Sequence, residues 1–136
     1  MPGKTKRAKG AGKNLTAEQL LEEFVAVSER QYAGYDVDDY KGSARAVHRL
    51  LALVKELDEV APGRTVLLPF LDHPNMAVRV NAGTFLCRMM PDRALPVLQK
   101  LKKMNTREEL SQPHALNAQS HASNTIFIYE RGELKV

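Results

Sequence analysis

Apolar residues recur at helical spacing from the fifteenth residue onward. Leu21, Phe24, Val25, Ser28 and Tyr32 follow one face of a helix. Thr16 and Gln19 supply a capping box at its start, with Leu15 and Leu20 at the staple positions, and Gly34 is the expected stop. After an acidic loop at 35–39, a second helix is predicted to run to about residue 60. Val47, Leu50, Leu51, Val54 and Leu57 share one of its faces, and Arg45, Arg49 and Glu56 the other. Pro62-Gly63 breaks the chain. A third helix is expected over 65–71 with Pro69 near its first turn, followed by the turn Asp72-His73-Pro74-Asn75. The fourth, over 76–90, is apolar nearly all round, which predicts a central helix; only Ala77, Asn81, Thr84 and Arg88 form a solvent-compatible seam. Pro91-Asp92 recaps a fifth helix over 93–103, whose Leu95, Leu98 and Leu101 point inward. A polar loop at 104–112 leads to a last helix from Pro113 to about Gly132.

These six helices predict an all-α fold of three antiparallel pairs. Leu68-Pro69-Phe70-Leu71 returns as Leu95-Pro96-Val97-Leu98, 27 residues on, and a fixed offset spanning a helix pair is a solenoid signature. The chain here resembles the HEAT-repeat superfamily. The matching residues are Leu68, Pro69 and Leu71 in one helix, Val78, Arg79 and Ala82 opening the next, and Ala94, Leu95 and Pro96 starting a third. The offset is shorter than the HEAT length of about 40 and is similar to the short form of phycobilin-lyase-type repeats. Over about residues 15–135 the chain also resembles a small bacterial family of unknown function, the domain-of-unknown-function family two thousand and nineteen, most specifically from Leu67 to Arg79. The resemblance implies a HEAT-like α-α superhelix and no chemistry. It also implies that Arg79 braces neighbouring units, with Asp72 as the paired loop acid.

Charge changes the picture only at one end. Residues 1–14 hold Lys4, Lys6, Arg7, Lys9 and Lys13 and no acid, leaving fifteen of the twenty basic residues to face all sixteen acidic ones. The high isoelectric point therefore belongs to a Gly- and Lys-rich tail that cannot bury a core and is predicted to be disordered, ahead of one helical domain over 15–136. No apolar run approaches the roughly 20 residues of a membrane span, and no apolar segment follows the basic residues as in a secretory signal. A single cysteine, Cys87, excludes an internal disulfide framework and fits a cytoplasmic protein.

Candidate chemistry is sparse. His114 and His121 stand seven residues apart and can share a helix face, yet no Cys, Asp or Glu sits at ligand spacing beside them; no metal or cofactor is expected. Asp36, Asp38 and Asp39 lack the glycine and glutamate of a calcium loop. Lys4 and Lys13 near glycines do not form a P-loop, and Ser43, Ser111 and Ser123 lack a nucleophile elbow. The expectation is a non-enzymatic protein–protein interaction module, monomeric or homodimeric. Its inner face is read as Arg45 and Arg49, then Asn81, Thr84 and Arg88, then Asn117, Ser120 and Asn124. The alternative is a nucleic-acid-associated protein that uses the tail and the inner-face arginines.

Overall fold

The computed structural model describes residues 15–136. The basic tail of residues 1–14, and with it the tail-based nucleic-acid reading, lies outside the described residues. Helix α1 spans Ala17–Asp36 and α2 Tyr40–Asp58. A 3₁₀ segment, Arg64–Asp72, is followed by α3, Met76–Leu86, and α4, Pro91–Lys102. A four-residue α5, Arg107–Leu110, precedes α6, Ala115–Glu130. The described residues form no strand.

Local chemistry explains where these elements begin. Thr16 Oγ1 accepts from the Gln19 amide at 3.1 Å, and Gln19 Oε1 accepts from the Thr16 amide at 2.9 Å, completing the box that opens α1. Asp39 Oδ1 accepts from the Gly42 amide at the start of α2, and Asn75 Oδ1 from the Ala77 amide at the start of α3. The helices pack as three hairpins: α1 on α2, the 3₁₀ segment on α3, and α4 on α6. Phe24 of α1 ties the first pair to the second, with its ring 5.8 Å from Phe70 and 6.2 Å from Phe85.

The central helix is α3. Every side chain from Met76 to Cys87 except that of Arg79 is buried, against the 3₁₀ segment, α4, α1 and α6. Gly83 permits the approach of α4: a Cβ there would stand 2.9 Å from Leu98 Cδ2. The 27-residue offset also holds in burial, since Leu67 and Leu71 of the 3₁₀ segment match Ala94 and Leu98 of α4, all four in the core.

Several boundaries and phases differ from expectation. Gly34 does not stop α1. It lies buried inside the helix, because a Cβ at that position would collide with Ser43 Oγ of α2. On α2 the buried residues are Ser43, Ala46, Leu50, Leu53, Val54 and Leu57, while Leu51 is 37% exposed. Helix α3 ends at Leu86, and Met89 is exposed. The loop at 104–112 contains α5, opened by a second capping box in which Thr106 and Glu109 play the parts of Thr16 and Gln19. Helix α6 starts two residues after Pro113, with His114 at φ +70°.

Arg79 does not act as the expected brace. It makes no ion pair with Asp72, and its Nε is shut off from solvent without an acceptor. Arg64 holds neighbouring units instead. Its Nε and Nη2 donate to the Asp58 carboxylate at 2.9 and 2.7 Å, and its Nη1 donates to the Phe85 carbonyl at 2.8 Å. One guanidinium thus joins the end of α2 to the last turn of α3, where unsatisfied carbonyls favour a cation.

Candidate binding cleft

The inner-face residues of α3 and α6 meet around a cleft of about 640 Å³. Val47, Leu50 and Leu51 of α2 line it, as do Asn117, Ser120, His121 and Asn124 of α6. Gln31 and Tyr35 of α1, Asn81, Thr84 and Phe85 of α3, and Val136 complete the lining. The α6 residues lie together because 117, 120, 121 and 124 fall within one stripe of a 3.6-residue helix. Opposite them, Ala118, Ala122 and Ile126 are buried, and the two alanines are small enough for α4 and α3 to pack closely.

Asn81 and Thr84 are not solvent-facing. Asn81 is 2% exposed, and its Nδ2 donates to Ser28 Oγ at 3.0 Å and to Gln31 Oε1 at 2.8 Å. Gln31 Nε2 in turn donates to Tyr35 Oη at 3.0 Å. Thr84, 9% exposed, lies 3.1 Å from Thr125 Oγ1 and 3.4 Å from His121 Nε2. These bonds satisfy polar groups that would be costly to bury alone, and they fix the base of the cleft.

His121, considered in the sequence only as a metal ligand, joins the cleft lining, as do Gln31, Tyr35 and Phe85, which residue pattern alone did not select. Burial pulls the His121 pKa down to about 4, so the ring is neutral at physiological pH. Burial, and then the neighbouring Tyr35, raise the pKa of Tyr32 far above the ordinary phenol range, so that side chain keeps its proton. Tyr32 Oη and His121 Nδ1 are 2.7 Å apart. A protonated phenol and a neutral imidazole share one hydrogen bond here, and the other ring nitrogen, Nε2, lies toward Thr84. The seven-residue spacing of His114 and His121 does give them a shared face. Both rings pack on Tyr32, with centroids 5.6 and 6.2 Å away. His114 Nδ1 lies 3.4 Å from Asp36 Oδ2 but has no hydrogen-bonding alignment.

The arginines of the expected inner face do not converge on this cleft. Arg49 is held by Glu23 at 2.6 and 2.8 Å, with Glu56 at 3.3 Å. Hydrogen bonding from Arg49 draws the Glu23 carboxyl below its usual range. Arg45 lies in a separate depression with Arg30 and Val37 at the α1–α2 turn, and Arg88 lies beside Tyr129 and Leu134. Cys87 is buried, and burial pushes its thiol up, away from the reactive thiolate. Among the described residues, no group of three or more His, Cys, Asp or Glu could hold a metal ion, and no helix is long and apolar enough to cross a membrane.

No family model matches the chain, and no curated protein does. Among solved structures, the crystal structure of the protein RPA1889 from Rhodopseudomonas palustris is similar. At 19% sequence identity it aligns with a TM-score of 0.75 over 91% of this chain and 96% of that one. That likeness shows a shared all-α fold.

Proposed function

We infer that the chain is a HEAT-like interaction module without catalytic activity, and that the cleft between α2 and α6 receives an extended stretch of another polypeptide. The observation that carries this reading is the character of the lining. Exposed amide and hydroxyl groups of Asn117, Ser120 and Asn124 face apolar Val47 and Leu51, and no charged side chain intervenes. Neutral donors and acceptors suit peptide backbone, and the apolar wall suits an aliphatic side chain beside it. The base of the cleft is already held by the Asn81–Gln31–Tyr35 bonds, so little ordering cost falls on binding. The HEAT-like resemblance supports the same reading, since stacked helix pairs offer extended surfaces of this kind.

A random peptide library displayed on phage and selected against the immobilised protein tests the proposal. Enriched peptides should lose at least about tenfold in affinity toward the combined Leu51→Glu and Asn124→Arg variant, given hot-spot losses of about 2 kcal/mol. Both positions are exposed, so the variant should fold normally. Failure to enrich any peptide, or equal binding to the variant, overturns the reading.

A further inference from the structure

A second cleft, of about 390 Å³, shares no lining residue with the one described above and lies between the 3₁₀ segment, α3, α4 and α5. Arg79 lines it and differs from the other arginines of the described fold in having a buried side-chain nitrogen without an acceptor. Arg49, Arg64 and Arg131 each reach a carboxylate. Arg79 reaches none, and its Nε is buried without an acceptor. A half-buried guanidinium without an ion-pair partner is costly unless an anion reaches the part of it that lines the cleft. Burial lowers the proton affinity of Arg79, and the nearby Asp72 charge only partly opposes this.

The surroundings define what that anion could be. Met76, Val97, Leu101 and Met104 give the cleft apolar walls, and Lys100 adds a second cation. Two carboxylates also line it, which limits the charge a ligand can carry. Asp72 is exposed, and Glu109 Oε1 is occupied by the amides of Asn105 and Thr106 at 3.0 and 3.1 Å. A dianion such as phosphate would be repelled by both acids, whereas a neutral molecule would leave the Arg79 charge unpaired. A single carboxylate matches the planar guanidinium fork.

We propose that this cleft binds a small monocarboxylate with an apolar body, its carboxylate on Arg79 and Lys100 and its apolar part against Met76, Val97, Leu101 and Met104. The site is independent of the peptide-binding reading of the other cleft.

Methyl NMR on the whole chain tests this with acetate, butyrate, hexanoate and octanoate as probes and inorganic phosphate as the comparison anion. Saturable shifts of the Met76 and Met104 methyls are expected, with affinity rising along the series. Arg79→Gln should weaken octanoate binding about tenfold, the loss expected for a charged hydrogen-bond donor. Lys100→Gln, at an exposed position, should weaken it about threefold. No saturable shift with any acid, undiminished affinity in Arg79→Gln, or tighter binding of phosphate than of octanoate overturns the proposal. Should Arg79→Gln fail to fold, Lys100→Gln decides, and full affinity in that variant overturns it.

Discussion

His121 lies where α1, α3 and α6 meet, and its neutrality is a condition of the packing around it. Its Nδ1 lies 2.7 Å from Tyr32 Oη, and burial of the ring penalises the imidazolium. The folded-state pKa of about 4 lies below the ordinary 6.5. The unfolded chain therefore binds this proton more readily, and stability falls as pH drops from about 6.5 toward 4. Glu23 and Asp58 have lowered pKa values, so their protonation belongs mainly to the acid side of that window. Urea denaturation at pH 7.5 and pH 4.5 should show His121 contributing about 2–3 kcal/mol of the difference. A His121→Gln variant should lose correspondingly less stability on acidification. An identical pH dependence in the two proteins would show that the ring is not held neutral by the fold. The neighbouring Asn81 illustrates why single residues were only partly legible. Its polarity suggested a seam facing solvent, yet the surrounding helices turn that polarity inward onto Ser28 and Gln31.

At the scale of elements, the junction of α1 and α2 depends on Gly34 and Ser43. Ser43 Oγ donates to the Gln31 carbonyl at 2.8 Å, which brings the hydroxyl against the bare Cα of Gly34. Gly34→Ala should cost about 1–3 kcal/mol, the range for overpacking, and Ser43→Ala in that background should recover part of it. Chemical denaturation of the two variants measures both effects; a stabilised Gly34→Ala would mean that the helices do not approach this closely. The glycine was visible in the sequence, but its role was not. A helix stop and a close helix crossing both favour glycine, and only the partner helix distinguishes them. The capping box of α1 was legible because a long amphipathic run followed it. The same chemistry at Thr106 and Glu109 carries no such signal, because only four residues of helix follow it. The start of α6 lies past Pro113 because His114 adopts a left-handed backbone, uncommon even for the few residue types that favour it.

For the whole molecule, the three-pair arrangement was legible because hydrophobic period, proline breaks and the repeated Leu-Pro motif agree on it. The lining of the larger cleft was half legible. Asn117, Ser120 and Asn124 share a phase on one helix, so their grouping needs no tertiary information. The assignment of Arg45, Arg49 and Arg88 to the same face required the rotation of α2 and α3 against their neighbours, which spacing alone does not fix. Arg49 turned instead toward Glu23 and Glu56, and the brace expected of Arg79 passed to Arg64.

The enclosure of α3 has a consequence for how the molecule comes apart. Repeat arrays open from their ends, one unit at a time, because each unit touches only its neighbours. Here α3 contacts members of all three pairs, so releasing either terminal pair strips part of its cover. Fraying is thereby coupled to loss of the centre, and the chain should melt as one unit. Hydrogen exchange can register this directly: the amides of Val80 to Phe85 should open only with the free energy of global unfolding. Measurably faster exchange there than the global rate would mean the pairs separate independently. A helix that sequence marks out only by its lack of a polar face thus sets the size of the cooperative unit.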